Sequence, residues 1–398
     1  MRLECTVDGA AEVAARVRAL VPPPESVAHG VAEIIAAVRT RRDEALLEYE
    51  WRFSGNDRLV VTPDELAAAL EASNPDVRAG LKRAAANVRA VAEAGVDAEA
   101  EVALPEGQTV RLREQPVRRA AVYAPGGRHP YPSSVVMGAV TARAAGVDEV
   151  VVAATGHPLI LAACALCEVD TVYRMGGAQA IAALAYATET VAPVDVIVGP
   201  GSLWVQEAKR QVSGQVGIDG FAGPSDLTIV CSAGADPEPL RLDLLAQAEH
   251  GADSLVVALS DDAALLDALG GAATEILADS MDAALAFSEA LAPEHLQLAG
   301  AAAEALAPRV RRAGCLFVGA ETGTAFGDYV AGSNHTLPTG GAARFASGLS
   351  ARHFRRRMAE VRLGAAAGAL ARAGAPIARA EGFPGHAASM EIRENPRP

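Results

Sequence analysis

The chain has 398 residues, of which 51% are hydrophobic and 21% are charged, so it can bury the cores of two or three domains and does not have the composition of a disordered chain. Its formal net charge of −14 argues against nucleic acid as a partner, because an acidic surface repels phosphate. No apolar run reaches the ~18–20 residues of a membrane-spanning helix, and the N-terminus lacks the basic start and apolar core of a signal peptide. We therefore expect no membrane partner and a cytoplasmic location.

The first part of the chain is predicted to be mainly helical. Residues 26–53 have the period of an amphipathic helix, and residues 64–95 continue as helix. Residues 110–125 look extended and lead into a strand. A helical N-terminal region therefore precedes the first predicted strand of a sheet.

From residue 119 onward, short β-branched strands alternate with Ala-rich helices, which is typical of parallel sheets built from β-α-β units. The predicted strands are 119–123, 149–154, 170–173, 194–198, 227–231, 254–259, 295–298 and 315–318. The predicted helices are 134–145, 158–167, 178–187, 202–213, 238–249, 261–277 and 301–313. A Gly- and Pro-rich break near 217–225 indicates two such α/β units. Residues 351–380 are predicted to return to helix, with a possible strand at 388–393.

Three glycine clusters follow predicted strands and could bring the backbone close to a ligand. They are APGGR at 124–128, MGGAQA at 175–180 and VGPGS at 198–202. The dinucleotide fingerprint GxGxxG does not occur in the sequence, so NAD use does not follow from a nucleotide motif. From composition alone, each cluster is also compatible with an ordinary turn.

Two short segments place pairs of polar side chains together. Gln247 and His250 are three residues apart on a predicted helix and therefore share a face, where an amide oxygen and an imidazole nitrogen can bind a divalent metal. An exposed helix face is the alternative. Glu294 and His295 stand directly before a predicted strand and could supply two titratable groups to one cleft, or simply cap the strand.

Two further polar segments lie near the C-terminus. The loop FGDYVAGSNHTLPTGGAA contains Asp328, Asn334 and His335, and the segment ARAEGFPGHAASMEIR contains Glu381 and His386. The cysteines lie outside all four polar segments, so a metal there would be held by oxygen and nitrogen ligands. That ligand type favours an open catalytic site over a closed structural zinc site. The cysteines are at positions 5, 164, 167, 231 and 315, and the CxxC pair at 164 and 167 is predicted to pack within a helix.

From about residue 26 to residue 393 the chain resembles the histidinol dehydrogenase family. Long motifs that occur in the same order carry the resemblance, and chance agreement does not explain them. The motifs are VYAPGGRHPYPSSVVM, GGAQAIAALAYATETV, VGPGSLWVQEAKRQV, GIDGFAGPSD, LLAQAEHGADS, APEHLQL, GDYVAGSNHTLPTGG and AEGFPGHAASMEIR.

The resemblance implies an α/β fold of two incomplete Rossmann-like domains with parallel sheets, a helical N-terminal segment and a short C-terminal segment. Residues 1–118 would pack on the second α/β domain, residues 119–224 would contact NAD, and residues 225–350 would carry the zinc and acid–base residues. The tail, 351–398, would reach the active site of the partner in a homodimer with shared sites.

The resemblance also implies a reaction and its residues. The reaction is the two-step oxidation of L-histidinol to L-histidine through L-histidinal, the last step of histidine biosynthesis, with NAD and one zinc ion per subunit. Glu294 and His295 would be the acid–base pair. The implied zinc ligands are Gln247, His250, Asp328 and His386. The implied substrate contacts are these four ligands with Ser225, His295, His335 and Glu381. The implied NAD contacts are Tyr123, Gln179 and Ser202.

Two departures and two alternatives accompany this interpretation. The sequence has GPGS where the family usually has GPGN, which bears on Ser202, and AGPSD where the family usually has AGPSE. A related zinc- and NAD-dependent enzyme could act on another small polar alcohol, such as a sulfonated diol, but His335 and Glu381 suit a substrate with an imidazole and an amine. A catalytically silent metal-binding relative is a further alternative, against which the intact pair Glu294–His295 argues.

Overall fold

The computed structural model describes residues 1–21, 27–127, 129–221, 224–251, 253–271 and 273–394. Within these residues, contacts divide the chain into two compact units. The main unit comprises Met1–Gly95 and Val117–Phe354, and the C-terminal unit comprises Val96–Pro116 and Arg355–Pro398. The division into four segments inferred from the sequence stays a prediction.

The N-terminal part of the main unit is helical, with breaks that the amphipathic period does not reveal. Arg42 has φ 52°, and this left-handed residue splits the helix predicted for 26–53 into two; residue 26 lies outside the described residues. The next helix ends at Ala72, and Asn74 caps the following one by accepting hydrogen bonds from the backbone N–H groups of Asp76 and Val77. The helices are α1 (Ala10–Arg18), α2 (Ala28–Arg41), α3 (Asp43–Ser54), α4 (Pro63–Ala72) and α5 (Pro75–Ala94).

The first sheet of the main unit is parallel and has the strand order β6-β5-β4-β7-β8. Its central strand is buried along its whole length, as expected for a parallel sheet covered on both faces. The strands are β4 (Arg119–Ala124), β5 (Glu149–Ala154), β6 (Thr171–Arg174), β7 (Val196–Val198) and β8 (Gly217–Ile218). The helices are α6 (Pro132–Val135), a π-helical turn (Val136–Val140), α7 (Thr141–Ala144), α8 (Pro158–Leu166), α9 (Gly177–Tyr186) and α10 (Leu203–Val212).

The second sheet is also parallel and has the strand order β1-β11-β10-β9-β12-β13. The strands are β1 (Arg2–Cys5), β9 (Asp226–Cys231), β10 (Leu255–Ser260), β11 (Thr274–Ala278), β12 (His295–Ala299) and β13 (Cys315–Val318). The helices are α11 (Pro237–Ala248), α12 (Ala263–Ala268), α13 (Met281–Leu291), α14 (Ala301–Glu304) and α15 (Thr324–Tyr329). Two parallel α/β layers confirm the fold class inferred from the sequence.

Some sequence-based elements in these layers are wrong. The helix predicted for 261–277 ends at Ala268, because Gly270 and Gly271 turn with φ 72° and 73° before β11 begins. The N-terminal segment packs mostly on the first layer: α2 and α3 share a core with α9, α4 contacts α8, and α5 contacts the π-helical turn. β1 and α1 pack on the second layer, where the whole segment was expected.

The C-terminal unit is an antiparallel sheet with two helices. Its strands are β2 (Ala100–Ala103), β3 (Thr109–Pro116) and β14 (Arg355–Arg362), and its helices are α16 (Ala367–Ala380) and α17 (Pro384–Glu391). The helix predicted for 351–380 is therefore a strand in its first part, since β14 pairs residue by residue with β3. The strand predicted for 388–393 is wrong, because α17 occupies most of it. Among the helices that the structure describes, none has the length and apolar character of a bilayer span.

The close contact between Gly138 and Val122 of β4 allows the packing of the π-helical turn on the first sheet to be tested. A Cβ atom at Gly138 would lie 2.5 Å from Cγ1 of Val122, so we expect Gly138→Ala to lower the free energy of unfolding by about 1–3 kcal/mol through overpacking. In α5, Gly80 has nothing within 4 Å of a Cβ, so Gly80→Ala should raise stability by up to about 1 kcal/mol through helix propensity. Urea unfolding of both variants checks the pair. Equal shifts in the same direction would contradict the packing described here.

Candidate active site

A cavity of about 790 Å³ lies in the main unit and is lined by both α/β layers. On the first layer its wall is formed by the segments that follow β4 and β7, at the carboxyl ends of these strands. On the second layer its wall is formed by the segments that precede β9, β10 and β12, at the amino ends of these strands. The volume is in the range of small-molecule and cofactor sites, and the carboxyl ends of parallel strands are their usual position.

The buried carboxyl group of Glu294 forms part of the second-layer wall of the cavity. Oε2 of Glu294 accepts hydrogen bonds from Oγ of Ser225 at 2.7 Å and from the backbone N–H of Asp226 at 2.9 Å. Burial raises the pKa of Glu294 to about 7, although the neighbouring His295 acts in the opposite direction. A carboxyl group with this pKa can both donate and accept a proton near neutral pH.

His295, the first residue of β12, lies beside this carboxyl group. Its Nδ1 is 3.1 Å from the backbone carbonyl oxygen of Asp226, and its Nε2 is 3.8 Å from Oδ1 of Asp328. Because a carbonyl oxygen only accepts, Nδ1 carries the hydrogen, and Nε2 is the atom that can take up a proton. Burial lowers the pKa of His295, but the negative charges of Glu294 and Asp328 outweigh it and raise the pKa above its usual value.

The last turn of α11 and the turn after it supply Gln247 and His250. The amide nitrogen of Gln247 donates to Oγ of Ser225 at 2.8 Å and to Oγ of Ser254 at 3.0 Å, so the amide oxygen is the atom available to a metal. His250 lies two residues beyond the end of α11 and lines the cavity. Its Nδ1 is 3.3 Å from the carbonyl oxygen of Gln247.

Asp328 and His335 belong to the segment that was predicted to be a polar loop. Asp328 is on the short helix α15, and His335 follows in irregular structure; both line the cavity. Burial lowers the pKa of His335 below its usual value. The negative charge of Asp328 acts in the opposite direction, and the neighbouring His295 and His250 lower the pKa further. Within the described part of the chain, Nε2 of His335 is buried without a hydrogen-bond partner. Such a nitrogen in a polar cavity is suited to a bound ligand.

The donor atoms of the main unit fit a zinc ion by type. Gln247, His250 and Asp328 offer an amide oxygen, an imidazole nitrogen and a carboxylate, without a thiolate. Among the described residues, no group of three or more His, Cys, Asp or Glu side chains is placed to hold a metal, and the predicted set has only two such residues in the main unit. Its fourth member, His386, belongs to the C-terminal unit, where it is exposed on α17 and packs 5.2 Å from the ring of Phe383; Glu381 is exposed at the end of α16.

The residues predicted to contact NAD fall into two places. Ser202 lines the cavity at the start of α10. Tyr123 and Gln179 are buried in a neighbouring network and are not among the described residues that line the cavity. The hydroxyl oxygen of Tyr123 accepts the N–H of Gly177 at 3.0 Å, and the amide nitrogen of Gln179 donates to Oε1 of Glu50 at 2.9 Å.

Sequence reasoning missed two residues that organise these networks. Burial raises the pKa of Glu50, whose carboxylate holds Gln179; nothing distinguishes it from the other acids of α3 in the sequence. Asp226 and Glu294 exchange two hydrogen bonds: Oδ1 of Asp226 accepts from the backbone N–H of Glu294 at 2.7 Å, and Oε2 of Glu294 accepts from the backbone N–H of Asp226. Oδ2 of Asp226 also forms an ion pair with Nη1 of Arg18 at 2.9 Å. The departure from AGPSE at Asp226, noticed in the sequence, was the signal that could have found it.

This geometry defines a class of protein: an α/β enzyme that holds a buried carboxyl–imidazole pair in a cavity between two parallel layers. The sequence model described as "Histidinol dehydrogenase" matches residues 23–274 and 267–394. The histidinol dehydrogenase of Rhodospirillum rubrum is 41% identical, over 92% of this chain and 92% of that protein; that of Rhizobium meliloti is 41% identical, over 93% of each. The crystal structure of histidinol dehydrogenase from Elizabethkingia anophelis superposes with a TM-score of 0.89 at 30% identity, over 94% of this chain and 93% of that one. The chain belongs to the histidinol dehydrogenase family.

The exchange between Asp226 and Glu294 can be tested by stability. Asp226→Ala leaves the buried N–H of Glu294 without its acceptor and removes the ion-pair partner of Arg18. We therefore expect a loss of about 1–3 kcal/mol in the free energy of unfolding. Asp282→Ala breaks the exposed ion pair with Arg309 and should change the free energy of unfolding by less than about 1 kcal/mol. Chemical denaturation measures both. Comparable small losses would show that Asp226 does not organise the site.

Proposed function

We propose that this protein catalyses the zinc-dependent, NAD-linked oxidation of L-histidinol to L-histidine through L-histidinal. The observation that carries the proposal is the position of Glu294 and His295, paired and buried at the wall of the same cavity that His250, Asp328 and His335 line. Membership of the family supports the substrate.

Bound zinc would supply a Lewis acid that positions the substrate, and bound NAD would accept hydride. Gln247, His250, Asp328 and His386 would hold the zinc. The proposed task of His295 is to take the hydroxyl proton of the alcohol at Nε2, because Nδ1 is committed to the carbonyl oxygen of Asp226.

Glu294 has the proposed task of activating the water that hydrates the aldehyde. Its pKa of about 7 allows it to accept a proton from water, and the hydrogen bonds from Ser225 and Asp226 fix the orientation of the carboxyl group. The second oxidation would again require removal of a hydroxyl proton, now from the hydrate, and a second NAD would accept the hydride.

Substrate recognition is assigned to polar groups around the cavity. The unpartnered Nε2 of His335 supports a hydrogen bond to the substrate. In the proposal, Glu381 and His386 complete the site of the partner subunit in a homodimer. Their exposure on the C-terminal unit leaves both side chains open to such a contact. Tyr123, Gln179 and Ser202 are proposed to contact NAD.

A covalent cysteine step has no place in this mechanism. Burial raises the pKa of Cys231 to about 12 and also raises that of Cys315, so neither thiol is a ready nucleophile at neutral pH. All five cysteines are free, which supports the proposed cytoplasmic location.

An assay of NADH formation tests the function. Purified protein with limiting L-histidinol and excess NAD should form two NADH per histidinol, because both oxidations deliver hydride to NAD. Activity should disappear on chelation and return with Zn²⁺. Reduction of NAD with a sulfonated diol but not with L-histidinol would favour the alternative substrate class, and no turnover of either would contradict the proposal.

His295→Asn tests the base. We expect kcat to fall by about 10²–10⁴-fold, since a positioned base contributes that much, while the zinc content stays unchanged. Steady-state kinetics and metal analysis measure the two effects. His157→Asn is a matched control, because His157 is an exposed cap of α8 outside the cavity, and an asparagine can also cap a helix. Near-normal turnover of His295→Asn would exclude the proposed role.

A further inference from the structure

The first-layer wall of the cavity contains a buried ion pair that the proposed chemistry does not use. Lys209 is on α10, and Asp219 follows β8; their side chains are 1% and 6% exposed, and they form an ion pair. Both residues line the cavity. Removing two charges from water is unfavourable unless their remaining hydrogen-bonding capacity is satisfied, so their other partners are informative.

Both side chains bind the backbone of the same residue, Gly199, one at each of the two peptide groups that flank its Cα. Nζ of Lys209 donates to the carbonyl oxygen of Gly199 at 3.0 Å, and Oδ2 of Asp219 accepts the N–H of Gly199 at 2.7 Å. The ion pair therefore holds Gly199 by its donor and its acceptor at once. We name Lys209, Asp219 and Gly199 the Gly199 clamp.

Gly199 is held in a conformation that other residues do not adopt readily. Its φ is 117°, and a Cβ atom would lie 2.2 Å from the carbonyl oxygen of Tyr123. The clamp thus stabilises a close contact between the end of β4 and the turn that follows β7.

The position of this turn connects the clamp with ligand binding. Residues 199–202 join β7 to α10 and all line the cavity. Ser202 precedes the first turn of α10 without making a side-chain cap, and Lys209 is two turns further along the same helix. The clamp consequently fixes both the glycine turn and the start of the helix relative to β4.

We propose that Lys209 and Asp219 are positioning residues for the dinucleotide: by holding Gly199 they keep the turn 199–202 in the shape that receives NAD. This inference rests on the proposed NAD-linked function. Lys209 acts through the peptide of Gly199 and not by direct contact with phosphate. Loss of either clamp side chain therefore weakens dinucleotide binding, while the acid–base pair on the other wall is left intact.

Lys209→Met and Asp219→Asn test the clamp, with NADH as the probe. We expect the Kd for NADH, measured by fluorescence titration, and the KM for NAD to rise by about tenfold in each variant, comparable to the loss of one charge-assisted hydrogen bond. The KM for L-histidinol and kcat at saturating NAD should change little, because the variants weaken the binding of NAD equally in the ground state and the transition state. Weak binding in Lys209→Met with normal binding in Asp219→Asn would indicate a direct contact of Lys209 and overturn the clamp.

Two controls separate positioning from general loss of stability. Glu149→Gln breaks the ion pair of Glu149 with the buried Arg119 at the opposite end of β4; it should lower Tm and leave NADH binding unchanged. The double variant Lys209→Met/Asp219→Leu removes both charges together and should regain Tm relative to the single variants, with NADH binding still weak. Recovery of binding together with Tm, or weakened binding in Glu149→Gln, would overturn the proposal.

Failure of the proposed function gives a different result. If the unmodified protein neither binds NADH nor reduces NAD, the function fails and the clamp inference fails with it. If the unmodified protein does both and the two single variants bind NADH equally well, only the clamp inference is overturned.

Discussion

The site depends on the exchange of hydrogen bonds between Asp226 and Glu294, where β9 and β12 begin. Each residue gives its backbone N–H to the carboxylate of the other, and the parallel pairing of His295 with Leu227 sets the register. Buried carboxylates are tolerated only where such donors satisfy them. Because the two segments are 68 residues apart in sequence, the sheet itself brings Glu294 against Ser225 and places Glu294 and His295 in the cavity wall.

The two layers contribute differently to the cavity. The first layer presents the carboxyl ends of its strands, where glycine turns bring backbone segments close together; a Cβ atom at Gly199 would lie 2.2 Å from the carbonyl oxygen of Tyr123. The second layer presents the amino ends of its strands, where Glu294 and His295 are held by backbone groups. The proposed chemistry and the proposed cofactor binding are therefore assigned to different layers of the cavity wall, each held by rigid elements.

Buried polar networks hold residues in and next to both walls of the cavity. Glu50 holds Gln179, Asp219 and Lys209 hold Gly199, and Ser225 links Gln247 to Glu294. Glu50 thus orients a side chain that the proposal places at NAD, and Lys209 and Asp219 fix the backbone of Gly199. At such positions we expect a substitution to change the geometry of the site more than its reactivity.

Local sequence patterns were enough to predict the alternation of strands and helices from residue 119 onward and the polar segments around Gln247, Glu294 and Asp328, because side-chain periodicity and turn residues are local properties. The strands β1 and β14 were not recognised, since each pairs with a strand far along the chain, as Arg2 pairs with Glu275. Which buried charges meet depends on how the layers pack: Glu50 and Lys209 have no local signature, and the roles of these residues and of Asp226 arise from contacts that exist after the layers have packed.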